Sequence, residues 1–241
     1  MSSQSPKPVW RLSAQVDAAR RRALFGLSAA MVGTLIAVPA KAQPSGACVL
    51  TPDSGEGPFY FDPKFVRTDI RGGAAGAPLG LAVRVLRAGD CALLDGARVD
   101  VWHADGVGLY SGYERQPGVG GGQSTDARGQ TFLRGTQFTD ATGHVRFDSI
   151  FPSWYSSRTP HVHFKIFLSD SEVIASQIFF PEEINAEVFE RWEPYRRHRD
   201  RRTGFNANDT FLRDGVEGVF AEVSSDSNGY DAQVTIVVAQ G

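Results

Sequence analysis

The sequence predicts an all-β fold, a β-sandwich with long loops and an irregular N-terminal arm. Three observations carry that expectation. Glycine and proline are abundant, 26 and 13 of 241 residues, which suits a chain that turns often rather than one built of long helices. Apolar runs have the length of strands, and several alternate with polar residues at a period of two. Clusters of turn-forming residues separate those runs. The composition is otherwise that of a globular protein, with 41% hydrophobic and 22% charged residues. A formal net charge of −2 supplies no basic field that would draw nucleic acid. The length suits one ordinary domain plus a leader.

The elements follow in chain order. Arg20, Arg21 and Arg22 precede an apolar stretch over 23–38 that ends in Ala40-Lys41-Ala42. A basic segment, an apolar core and an A-x-A site are the parts of a secretory signal, so 1–42 reads as a cleaved leader. The apolar run is short for a membrane span of about 20 residues. Export to the periplasm or beyond is therefore expected, with no stable membrane insertion after cleavage. Residues 43–80 hold Pro52-Asp53, Gly57-Pro58 and Gly72-Gly73 and read as an arm leading into a catalytic sandwich over 81–241.

Strands are expected over 81–87, 97–102, 131–138, 144–150, 161–169, 173–180 and 233–239, about seven in all. A glycine-rich loop, including Gly120-Gly121-Gly122, fills 106–130. The segment 181–192 is the best helix candidate, glutamate-rich with Ile184, Val188 and Phe189 at helical spacing. The basic cluster from Arg196 to Arg202 reads as a solvated loop balanced by the acidic segment before it, with a patch for an anionic ligand as the alternative. Cys48 and Cys91 are the two cysteines. In an oxidising compartment such a pair suggests one disulfide, with two separate buried thiols as the alternative.

The chemistry concentrates in Tyr155-Ser156-Ser157-Arg158-Thr159-Pro160-His161-Val162-His163. Alternate residues of a strand share a face, so His161 and His163 would project together as half of a metal site. Alone, that spacing equally fits two core or surface histidines. Tyr155 sits on a turn-like segment that could bring its phenol over the histidine face, or could simply plug the end of the sandwich. A phenol with a reference pKa of ~10 ionises at neutral pH only beside a strongly Lewis-acidic ion. Zinc sites draw on Cys, His and carboxylates, so tyrosines with histidines favour ferric iron.

These residues resemble the iron signature of the intradiol ring-cleavage dioxygenases, the family of protocatechuate 3,4-dioxygenase. Val101-Trp102-His103-Ala104-Asp105-Gly106-Val107-Gly108-Leu109-Tyr110-Ser111 resembles the segment that supplies that family's first tyrosine ligand. Gly57-Pro58-Phe59-Tyr60, Phe132-Leu133-Arg134-Gly135 and the run from Asp140 to Pro152 resemble further elements, in the family's order. The resemblance implies Fe(3+) held by Tyr110, Tyr155, His161 and His163, with Arg158 stabilising negative charge on substrate oxygen and Gln177 lining the pocket. It also implies a catechol-type substrate opened by O2 between its hydroxyl-bearing carbons to a muconate-type product. Tyr60, Trp154 and Ile178 fit pocket walls or, equally well, packing positions, while His103 and His144 match no ligand position. Five residues separate Tyr155 from His161, fewer than in cytoplasmic members, which implies a more open pocket. Two other readings remain at this point: a non-enzymatic sandwich that binds a partner, and a different metalloenzyme, such as a copper enzyme, using His161 and His163.

Overall fold

The structure is a computed structural model that describes residues 48–62, 64–116, 118–119, 124–212 and 219–239. The expected leader and the glycine triplet at 120–122 lie outside the described residues. Eight strands appear among those described: β1 (Pro78–Arg87), β2 (Arg98–Trp102), β3 (Arg134–Phe138), β4 (His144–Ile150), β5 (His161–Leu168), β6 (Ser171–Phe179), β7 (Glu222–Ser225) and β8 (Tyr230–Val238). One helix, α1 (Glu182–Arg191), and two 3-10 helices, Tyr195–Arg201 and Asn206–Asn208, join β6 to β7.

Two four-stranded sheets form the sandwich, ordered β4-β1-β8-β7 and β3-β2-β5-β6. Period-two alternation turns Leu79, Leu81, Val83 and Val85 of β1 inward, with Ala232, Val234, Ile236 and Val238 of β8 beside them. Val99 and Val101 of β2, with Val162, Phe164 and Ile166 of β5, close the core from the second sheet. Burying each of the valine, leucine, isoleucine and phenylalanine side chains contributes roughly 1.5–3 kcal/mol.

The departures from expectation have local causes. β1 begins at Pro78, where Pro78 pairs with Ile150, so the sheet reaches into the segment expected as arm. β3 begins at Arg134 rather than 131 because Leu133 adopts φ 55°, a left-handed conformation that breaks the extended run. Ser169, at φ 57°, likewise ends β5 one residue early. β7 reads Glu-Val-Ser-Ser, an exposed edge strand without an apolar alternation to announce it.

The outer face of the second sheet is not left to water. Asp100, Trp102, Arg134, His161, His163, Lys165 and Gln177 are all buried there, because the arm crosses it. Thr51 N–H donates to Val237 O at 2.9 Å, and Ser54 and Gly55 N–H donate to Ala175 O at 3.1 and 3.0 Å. Thr136 N–H donates to Phe65 O, and Arg67 N–H returns a bond to Thr136 O, which covers the β3 edge. A disulfide joins Cys48 to Cys91, with Cα atoms 5.6 Å apart. The basic cluster is balanced as expected, with Arg196 and Arg197 on Glu193 and Arg199 on Glu190. Arg202 departs from this: its side chain is 4% exposed and pairs with Glu182.

Candidate metal centre

The first residues of β5 build the centre. His161 and His163 share the outer face of the sheet, and their Nε2 atoms lie 3.1 Å apart. Upstream, Arg158 N–H donates to Tyr155 O at 2.8 Å, closing a tight turn in which Ser156 takes φ 52°. That turn sets the Tyr155 Oη 3.3 Å from His161 Nε2. The Tyr110 hydroxyl reaches Tyr155 Oη from the opposite side at 3.4 Å. All four predicted ligand side chains therefore meet at one point. Neighbouring donor atoms at 3.1–3.4 Å are spaced like adjacent corners of a shell whose bonds are about 2.0–2.2 Å.

Tyr110 comes from the loop after β2, which is tied from within. Asp105 Oδ1 accepts Val107 N–H and Leu109 N–H, both at 2.9 Å. Gln116 brackets the Tyr110 backbone, accepting its N–H and donating to its C=O, each at 2.6 Å. Arg134 donates to Ser111 through Nε and a terminal amine. Phe59 of the arm stacks on the Tyr110 ring at 4.4 Å, and Trp102 stacks on His163 at 5.0 Å.

The hydrogen bonds assign the histidine protons. His161 Nδ1 lies 2.7 Å from Thr159 O; a carbonyl only accepts, so Nδ1 carries the proton and Nε2 turns a lone pair inward. His163 Nδ1 is buried without a partner. Burial, followed by the nearby Arg158 guanidinium, holds both imidazoles well below their ordinary range and thus neutral. Burial likewise pushes the Tyr110 phenol well above its usual value. Burial raises Tyr155 too, against the opposing pull of Tyr110 and Arg158. Ionising both phenols would therefore require a cation among them. Among the described residues no group of three or more His, Cys, Asp or Glu is placed to hold a metal, and the donors gathered here are two imidazoles and two phenols. Two neutral nitrogens and two ionisable phenols fit a hard trivalent ion.

Arg158 and Gln177 adjoin this point. Gln177 lies opposite His163 in the β5–β6 register, fully buried, and its Oε1 accepts an Arg158 terminal amine. Arg158 Nε donates to Asp209 Oδ2 at 2.8 Å, and the guanidinium lies 4.2 Å over the Phe211 ring. Of the expected walls, Trp154 and Ile178 belong to the hydrophobic core, and Tyr60 leans on Trp102 with its hydroxyl on Asp100. These three pack rather than line a pocket. His144 is exposed, whereas His103 is buried between Ala104 O and the Ser149 hydroxyl. Sequence reading missed Phe59, Asp209 and Phe211. Phe59 stood inside the Gly-Pro-Phe-Tyr motif, but no local pattern marks the other two.

Comparison with known proteins agrees in extent with this site. The family model Dioxygenase_C, described as dioxygenase, matches residues 56–187. An intradiol ring-cleavage dioxygenase from Tetranychus urticae is 28% identical, over 80% of this chain and 95% of its own, with a TM-score of 0.72. The dioxygenase domain of a dioxygenase and carbohydrate-binding protein fusion from Streptomyces sp. SirexAA-E is 25% identical over 80% of this chain and 100% of its own, with a TM-score of 0.57. Catechol 1,2-dioxygenase from Pseudomonas arvilla C-1 shares the fold at 21% identity, over 81% of this chain and 64% of its own, with a TM-score of 0.54. No curated protein matches the chain.

Proposed function

The chain belongs to the intradiol ring-cleavage dioxygenases, and from that premise we propose that it is an exported iron(III) enzyme that opens catechol-type rings. One observation carries the reading: two phenols and two imidazoles from separate segments turn their donor atoms to one buried point. Tyr110, Tyr155, His161 and His163 would hold the ion. Ferric iron, when bound, supplies the Lewis acidity that ionises a catechol and the one-electron chemistry that makes the ring reactive toward O2.

The chain's own residues do the rest. Tyr155 is the more accessible phenol, half-buried where Tyr110 is buried, so its oxygen is the better placed to take a proton from the substrate. Arg158 stands beside that phenol, where its charge would stabilise negative charge on substrate oxygen. Gln177 holds one guanidinium amine. Phe59, Tyr110 and Tyr113 form an aromatic wall that would orient a flat ring and exclude water. Both atoms of O2 enter the product, a muconate-type diacid, so no external reductant is consumed. Export agrees with the Cys48–Cys91 bond, which suits an oxidising compartment.

The purified chain should contain one iron per molecule, show a visible phenolate-to-iron band and take up O2 with catechol. Tyr110→Phe and Tyr155→Phe should each weaken the band and lower activity at least about a hundredfold, as expected for lost ligands or proton acceptors. A colourless, iron-free protein would point to a binding module. Metal analysis finding copper, or a full band in both variants, would discard this ligand set.

A further inference from the structure

We propose that Asp209 is the residue that aims Arg158 at the substrate, a positioning role that rests on the function proposed above. An arginine has a long side chain with many rotamers, which must be restricted before its charge has a fixed direction. A charge that stabilises a transition state works best when its direction is fixed beforehand. Asp209 supplies that fixing from a fully buried position.

Its Oδ2 accepts Arg158 Nε–H at 2.8 Å and Thr159 N–H at 2.9 Å, and its Oδ1 accepts Phe211 N–H at 3.0 Å. A carboxylate so removed from water is stable only with donors of this kind, and here there are three. Asp209 holds the group at Nε, and a terminal amine is thereby set on Gln177 Oε1. The Phe211 ring, 4.2 Å from the guanidinium carbon, sets the plane of the group.

The rest of the segment fits around that bond. A Cβ at Gly204 would come within 2.1 Å of Arg158 O, so the chain there presses directly on the arginine's backbone. Thr159 donates its hydroxyl to Asn206 Oδ1 at 2.7 Å. Segment 204–211 is thus a bracket built onto Arg158 and Thr159, two turns of sequence that contribute no candidate ligand. Asp209 also offsets the guanidinium charge, which would otherwise face a cation held by Tyr155 and His161.

The experiment compares the iron-loaded full chain with Asp209→Asn, Arg158→Ala and the double variant. Iron content, the visible band, its shift on anaerobic addition of catechol, and kcat and KM from O2 uptake are measured. Asp209→Asn keeps an acceptor oxygen for Thr159 but loses the charge. It should retain iron, band and catechol shift, with kcat lowered about ten- to a hundredfold, the scale of a misplaced group, and KM little changed. It should add nothing in the Arg158→Ala background. Asp209→Glu, which keeps the charge but displaces it by a methylene, should give a smaller loss of kcat with the same band. Wild-type kcat in both Asp209 variants, losses additive with Arg158→Ala, or loss of iron on Asp209→Asn would each overturn the role. A wild-type chain inert to catechol would take down the proposed function and this role with it.

Discussion

Gly57 takes φ +70°, and a Cβ there would stand 3.1 Å from His163 Cε1. Gly55 takes φ +77°, and a Cβ added there would meet nothing within 4 Å. The pair separates backbone strain from contact with the centre. Alanine at either position should cost about 1–2 kcal/mol for the left-handed conformation, read as a lowered thermal midpoint. Only Gly57→Ala should also displace the His163 ring and reduce iron retention on dialysis against a chelator. Equal iron loss in both variants would show that the arm acts through its general order rather than through this contact. The residues legible in the sequence were those inside short motifs: Tyr155, Arg158, His161 and His163 lie within nine positions, whereas Tyr110 stood out only because the segment around it resembles the family's. Asp209 was not legible, because 51 residues separate it from Arg158 and only the fold joins them. Phe211 stayed hidden for the same reason, since a lone aromatic after a turn carries no signal of what it stacks on.

At the scale of elements, strands with one apolar face announced themselves by alternation, and β4 was found with its bounds unchanged. β5 is different: its first six residues are buried on both faces. Its polar outer face holds histidines and a lysine that the arm, together with Tyr110 and Tyr155, conceals from water. The arm could be read as irregular, but its place over that face could not, because single backbone bonds to β6 and β8 leave no periodic trace. The disulfide ties the start of this arm to the turn after β1 across 43 residues of sequence. Replacing both cysteines, Cys48→Ser with Cys91→Ser, should lower stability by about 2–4 kcal/mol, chiefly by freeing the unfolded chain. Urea unfolding with and without reductant measures this. The visible band should survive, since Thr51, Ser54 and Gly55 pin the arm between Cys48 and Gly57 by bonds of their own.

For the whole molecule, the two sheets must stay in register if the arm and the loop after β2 are to meet over β5. His103 helps to hold them. It follows β2 directly, and its Nε2 lies 2.7 Å from the hydroxyl of Ser149 in β4, on the other sheet. Nδ1 lies 2.8 Å from Ala104 O and so carries the proton, which makes Nε2 the acceptor of the serine hydroxyl. A second proton would break this inter-sheet bond, and burial accordingly holds the imidazole down at about 4, against an ordinary 6.5. Between those values the unfolded chain binds a proton at this position and the folded chain does not. The contribution of neutral His103 is therefore fully present above pH 6.5 and is lost as pH falls through 4, with a slope of at most about 1.4 kcal/mol per pH unit. His103→Gln should be less stable than wild type at pH 7.5. Its stability should then fall less steeply on acidification, so that the two curves converge toward pH 4. Measuring the difference between the two chains cancels the other buried histidines, which are common to both. Parallel curves across that window would mean that His103 already titrates with its ordinary value and that the inter-sheet bond tolerates the charge.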